Sequence, residues 1–368
     1  MMLSRRRMLT RALSLASAGV LLPRLGIAAM GQGKQAFHMP DENAPHTRTW
    51  MAFGASRKIW GRELLPDVRR DLATIAKTIA RYEPVTMLVR EREYDIARSL
   101  VGDTVDLHVA EMDDLWMRDT GPVFVINGKG EKAAVDLNFN GWGEKQDYDL
   151  DAEVAEEVAQ AAGVKLLRTE LVLEGGCIEV DGEGTAIIAE SCVLNDNRNP
   201  GWSKAEVEAE LKHLLGLQKI IWIPGVRGMD ITDGHTDFYA RFARPGVVVA
   251  GYDPDPESPD HKVTERHLEI LEAAIDAQGR KLKVLVLEGP TDIRSKFYHE
   301  EFAAGYIGFY VCNSAVLMQK FGDRRADRKA EETLRKAFPK HDVIALSVDA
   351  LAAGGGSIHC STQQEPIA

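Results

Sequence analysis

Pro122-Val123-Phe124-Val125-Ile126, followed by Asn127-Gly128 and then by Ala133 to Phe139, is the stretch that decides the fold. Two short apolar runs on either side of an Asn-Gly pair read as two strands joined by a tight turn. From Asp151 to Ala162 the pattern becomes helical, and Val164 to Leu167 reads as another strand. The unit is therefore strand, strand, helix, strand.

The same order recurs along the chain. Cys177 to Val180, a turn at Asp181-Gly182, Thr185 to Ala189, a helix over Ser203 to Leu215 and a strand at Ile220 to Ile223 make a second unit. Thr236 to Phe242, the turn Arg244-Pro245-Gly246, Val247 to Ala250, a helix from His261 to Gln278 and Leu282 to Leu287 make a third. A fourth comprises Tyr306 to Val311, a turn at Asn313-Ser314, Ala315 to Gln319, the helix Arg324 to Phe338 and Val343 to Ser347. Trp50 to Phe53, the helix Pro66 to Tyr82 and Val85 to Val89 begin a fifth, whose missing strand is expected from the chain's end near Ser357-Ile358-His359. Five such units are expected to close into a ring whose loops surround a central channel. The alternative is one large two-layer α/β sheet.

Composition sets the remaining bounds. Of 368 residues, 45% are hydrophobic and 27% charged, as in an ordinary globular protein. The net charge is −11, and because the first 30 residues hold five arginines and no acid, the remainder carries 40 basic against 56 acidic residues, or −16. Such a surface argues against nucleic acid and for a small cationic partner. Ser4-Arg5-Arg6-Arg7-Met8-Leu9, the apolar run Ala12 to Leu22 and the small residues from Gly26 to Ala29 resemble a twin-arginine export signal over residues 1–30. That run is too short for a stable membrane span, so a periplasmic or secreted protein is expected. Residues 31–47 read as an extended link and 48–368 as a single catalytic domain. Cys177, Cys192, Cys312 and Cys360 have no zinc-type spacing.

Polar clusters interrupt the patterned segments at Trp116 to Pro122, Glu174-Gly175-Gly176, Asp233 to Asp237 and Gly354 to Cys360. Cys360 after a glycine run suits a nucleophile held at a loop edge, or a small buried apolar residue. His235 and Asp237, two apart, suit an acid-base pair, and with His359 and Cys360 they offer metal-type donors without a diagnostic spacing; no metal or cofactor is expected. Asp119 can pair with Arg118 beside it, and Glu174 can be a plain turn residue.

Together these clusters, with Thr49-Trp50-Met51, Phe139-Asn140-Gly141-Trp142-Gly143, Asn197-Arg198-Asn199-Pro200 and the ending through Thr362-Gln363-Gln364-Glu365-Pro366, resemble the agmatine deiminases and bacterial peptidyl-arginine deiminases of the guanidine-modifying superfamily. The resemblance implies a five-bladed α/β propeller of the pentein type. By motif it implies Cys360 as nucleophile, His235 as general acid and base, Asp119 and Asp237 as grips for a guanidinium, Glu174 behind His235 and Trp116 in the substrate channel. The chain departs from the family pattern at Cys177 and Phe238, where asparagine is common. Agmatine is the favoured substrate and peptidyl-arginine or free arginine the alternative. From other classes come a binding protein for arginine-like cations and a cysteine amidase. Homo-oligomerisation stays open.

Overall fold

The computed structural model describes residues 36–294, 296 and 302–368, so the expected export signal over 1–30 lies outside the described residues. Among them are five separate sheets, all built to one plan. Val123–Ile126 pairs antiparallel with Lys132–Asp136, which pairs parallel with Lys165–Arg168 after the helix Val154–Ala162. Ile178–Val180, Thr185–Ala189 and Lys219–Ile223 repeat this arrangement. So do Ala240–Arg244, Val247–Tyr252 and Lys283–Glu288, and likewise Tyr310–Cys312, Ala315–Gln319 and Asp342–Leu346. In the remaining sheet the C-terminal strand Thr362–Pro366 runs antiparallel to His46–Ala52, which pairs parallel with Val85–Val89, and Asp106–Val109 adds a fourth strand.

Several expected boundaries move: the first long helix begins at Arg57 and the helix expected to reach Gln278 ends at Ala273, and three strands differ. The strand expected from Thr236 begins at Ala240, because Thr236–Phe238 form a helical turn pinned by the Thr236 hydroxyl, which donates to the Cys177 carbonyl at 2.6 Å. The strand expected from Tyr306 is only Tyr310–Cys312. The closing strand comes from Thr362–Pro366, not from Ser357 to His359, which lead into a tight turn at His359–Ser361.

Middle strands such as Val85–Val89, Thr185–Ala189 and Ala315–Gln319 are buried along their full length. Strands covered on both faces carry continuous apolar runs, and these do. Each crossing helix turns an apolar stripe onto its sheet: Val207, Leu211, Leu214 and Leu215 pack with Ile187 and Ile221, and Val154, Val158 and Ala159 with Phe124 and Ala134. The helix Lys204–Leu215 starts in a capping box, Ser203 and Glu206 satisfying each other's backbone N–H. All four cysteines are free and buried. No helix among the described residues is long and apolar enough to cross a membrane.

Polar residues tie the sheets together where they meet. Glu42, expected in the extended link, is buried and takes charged partners from well-separated parts of the chain: Arg118 (3.2 Å), Arg241 (2.9 Å) and His359 Nε2 (2.9 Å). The Val311 amide donates to its other side at 2.8 Å. Arg241, fully buried, also donates to Glu179 and to the Phe309 carbonyl, each at 2.7 Å. The guanidinium thus serves two buried carboxylates. Because removing one partner strands the others away from water, Arg241→Met is expected to lower the unfolding free energy by ~3–5 kcal/mol in urea titration. A change under ~1 kcal/mol would mean that the carboxylates find other partners.

Candidate active site

The polar clusters of the sequence lie on short helical turns that run directly into the first strand of a sheet. Met117–Thr120 precedes Val123–Ile126, and Gly175–Cys177 precedes Ile178–Val180. Thr236–Phe238 precedes Ala240–Arg244, and His359–Ser361 precedes Thr362–Pro366. Residues distant in sequence meet there because each sheet delivers its turn to the same place.

His235 is the centre of the group and is buried. Its Nε2 lies 3.1 Å from Glu174 Oε2, while Nδ1 lies 3.7 Å from Asp119 Oδ1 and 4.0 Å from Asp237 Oδ1. Burial alone would lower its pKa, but the Asp119 charge, the Glu174 hydrogen bond and the Asp237 charge raise it to about 10, so the ring is an imidazolium at neutral pH. For Glu174, burial pushes upward and is overcome by the His235 hydrogen bond and the Arg198 charge, which bring it to about 2. Arg198 Nε donates to Glu174 Oε1 at 2.7 Å, and its Nη1 reaches Asp233 Oδ2 at 2.9 Å.

The two aspartates differ. Asp119 accepts from Trp142 Nε1 (3.0 Å) and from the Gly176 amide (3.2 Å), yet burial raises its pKa to about 6 even though His235 opposes this. Asp237 Oδ2 accepts from His359 Nδ1 at 2.7 Å, and this bond with the His359 charge outweighs burial and holds the carboxyl below its usual range. Asp237 Oδ1 is buried with no hydrogen-bond partner. Such an oxygen in a dry site is matched by a planar N–H donor.

Cys360 Sγ lies 3.7 Å from Asp237 Oδ2 and 3.2 Å from Ser357 Oγ. Burial first, then the Asp237 and Asp119 charges, push the thiol well above its ordinary pKa, so it is protonated before a cation arrives. Trp116, 7% exposed, belongs to the same buried cluster as Cys360. A Cβ on Gly356 would come within 2.2 Å of the Trp116 ring, and one on Gly176 within 2.5 Å of His235 Nδ1, so both glycines exist to permit close approach.

The structure brings Cys360, His235, Glu174, Asp119 and Asp237 together, with Trp116 alongside. Cys360 belongs to a buried apolar cluster as well as lying beside the acids, and Glu174 opens the turn Gly175–Cys177. Arg118 turns away from Asp119 to donate to Gln364 at 2.8 Å, and neither His235 nor Glu174 is a surface residue. His359 is held between Asp237 and Glu42. Sequence reading gave no role to Glu42, Trp142, Arg198 or Ser357. Trp142 and Arg198 lay in quoted motifs, whereas Glu42 gave no local signal. Glu174, Cys177 and His235 offer ligand-type atoms within 4.8 Å of one another.

Comparison with known proteins identifies the family. Residues 38–366 match the model of the Porphyromonas-type peptidyl-arginine deiminases. The agmatine deiminase of Ectopseudomonas mendocina is 38% identical over 356 residues, covering 90% of this chain and 95% of that protein. That of Pseudomonas syringae pv. tomato is 39% identical over 357 residues, with 90% and 95% covered. The solved agmatine deiminase of Enterococcus faecalis superposes with a TM-score of 0.83 at 32% identity, over 90% of this chain and 96% of that one. On fold and sequence alike, the chain belongs to the Porphyromonas-type peptidyl-arginine deiminase family, alongside the agmatine deiminases.

Proposed function

We propose that the protein hydrolyses the guanidinium group of agmatine to N-carbamoylputrescine and ammonia. The observation that carries this reading is the pair Asp119 and Asp237 set between an imidazolium and a thiol, with Asp237 Oδ1 buried and unpaired. A guanidinium between these carboxylates satisfies them bidentately and presents its carbon to sulfur. Support for agmatine over other guanidines comes from the names of the relatives and from the acidic composition.

Substrate charge solves the problem of the raised thiol. A cation held by Asp119 and Asp237 offsets the charges that oppose ionisation, so Cys360 loses its proton to solvent when substrate is bound. The thiolate attacks the guanidinium carbon and gives a neutral tetrahedral adduct. His235 donates its proton to one nitrogen, ammonia leaves, and an S-alkylthiouronium cation remains. Neutral His235 then takes a proton from water as the oxygen attacks. Collapse of the second adduct releases the urea and the thiol. Glu174 is a positioning residue that keeps His235 charged before the first step.

The five like sheets are read as the blades of a closed propeller, which accounts for the convergence of their leading turns. Residues 1–30 are read as an export signal, on the strength of Ser4-Arg5-Arg6-Arg7-Met8-Leu9. Export favours a second reading, peptidyl-arginine as substrate.

Ammonia release from agmatine, arginine, a peptidyl-arginine and a simple amide, measured side by side, is expected to rank agmatine first; faster release from the peptide would select the second reading. Cys360→Ala is expected to lower kcat by ~10⁴-fold or more while agmatine Kd by calorimetry moves less than ~3-fold, whereas Asp119→Asn and Asp237→Asn lose affinity as well. A near-normal rate in Cys360→Ala excludes the covalent route. The profile of kcat/KM against pH should be a bell. It falls below about 6, where Asp119 takes up a proton and loses its hold on the cation, and above about 10, where His235 gives up the proton it must donate. Activity undiminished at pH 5 would contradict the role of Asp119.

A further inference from the structure

Cys177, whose buried neighbour is the Cys192 thiol, is left unused by the proposed reaction, and it lies beside Glu174 on the side of His235 away from Asp119 and Asp237. The Nδ1 edge of His235 faces Gly176, Asp119 and Asp237, whereas Nε2 faces Glu174. Glu174 Oε2 is shared: it lies 3.1 Å from His235 Nε2 and accepts from the Cys177 thiol at 3.3 Å. The three donor atoms lie within 4.8 Å of one another, on residues that are buried.

We infer that Glu174, Cys177 and His235 form an inhibitory site for a thiophilic divalent cation such as zinc, bound on the face of His235 opposite the substrate. Nitrogen, sulfur and oxygen donors are the set zinc takes, and tetrahedral bonds of its usual lengths place ligand atoms ~3.3–3.7 Å from each other, close to the spacing around Glu174 Oε2. Three protein ligands leave the fourth position to water. Coordination displaces two protons, one from the Cys177 sulfur and one from His235 Nε2, and adds two positive charges. The net charge beside Arg198 is unchanged. Arg198 keeps its Nε bond to the other oxygen, Oε1, at 2.7 Å, while its longer Nη2 contact with Oε2, 3.5 Å, gives way to the metal. With the metal on Nε2, His235 is no longer free to alternate between imidazolium and neutral base, so turnover stops without any ligand entering the guanidinium pocket.

The inhibition rests on the deiminase reading, but metal binding does not, and the test separates them. Metal-free full-length protein is titrated with cobalt(II) and, separately, with zinc after long preincubation, because the donors are buried. One equivalent of cobalt is expected to produce a thiolate-to-cobalt absorption band that persists in Cys360→Ala and is lost in Cys177→Ser. Zinc at ten times its Kd is expected to lower the agmatine rate ~10-fold in the unsubstituted protein and less than ~2-fold in Cys177→Ser. A band that survives Cys177→Ser and vanishes in Cys360→Ala places the metal on the nucleophile and overturns the inference, as does no band at all. Should Cys177→Ser fail to fold, Cys177→Ala serves in its place. A Cys177-dependent band with no turnover of agmatine or of a peptidyl-arginine in any sample would uphold the metal site and refute the deiminase reading.

Discussion

Burying a carboxylate is costly unless its oxygens are fully used, and the molecule is organised around one that is. Glu42 meets Arg118, Arg241, His359 and the Val311 amide, drawn from segments that sequence separates by as much as the full length of the fold. Burial would raise its pKa, but Arg241, His359 and Arg118 drive it well below the usual range. The charge is therefore permanent, and it orients the very residues that stand behind the site: His359 passes the constraint to Asp237, and Arg118 fixes the turn that carries Asp119. Geometry at the reacting centre is inherited from this tie.

Much of this was legible in the chain because the fold repeats. Hairpin turns such as Asn127-Gly128 and Asp181-Gly182, and helices such as Ser203 to Leu215, carry local signals of turn chemistry and periodicity that tertiary contacts do not override. The site residues were legible for a different reason: the polar clusters that hold them match the motifs of the family the chain resembles, and the structure then places each on a turn ahead of a strand. Boundaries moved where a side chain captured the backbone, as Thr236 does when it bonds the Cys177 carbonyl and delays its strand. Glu42 was hidden because an acid in a polar segment reads as solvated, and only contacts with Arg241 and Arg118 reveal that it is not. Ser357 was hidden likewise, since its distance to the sulfur depends on how the final turn folds.

Within the site, charge is arranged as a set of opposed demands. Three carboxylates surround one imidazolium, so His235 is charged and Cys360 is not. The resting nucleophile is thereby protected from adventitious oxidation or alkylation, since the thiol reacts far more slowly than its anion. Only a cation of the right shape relieves the repulsion. Selectivity and activation are in this sense the same electrostatic event, which helps to explain why a protein with so many acids near a sulfur can use that sulfur at all.

The pairing of Thr362–Pro366 with His46–Ala52 carries a temporal meaning. Translation delivers residues in order, and the strand that completes this sheet is made after every other strand among the described residues. The sulfur, two residues ahead of that strand, has no fixed address until the two ends of the chain have met. However far its middle has folded, a chain whose two ends have not met lacks a placed sulfur, and placing it takes a single long-range closure.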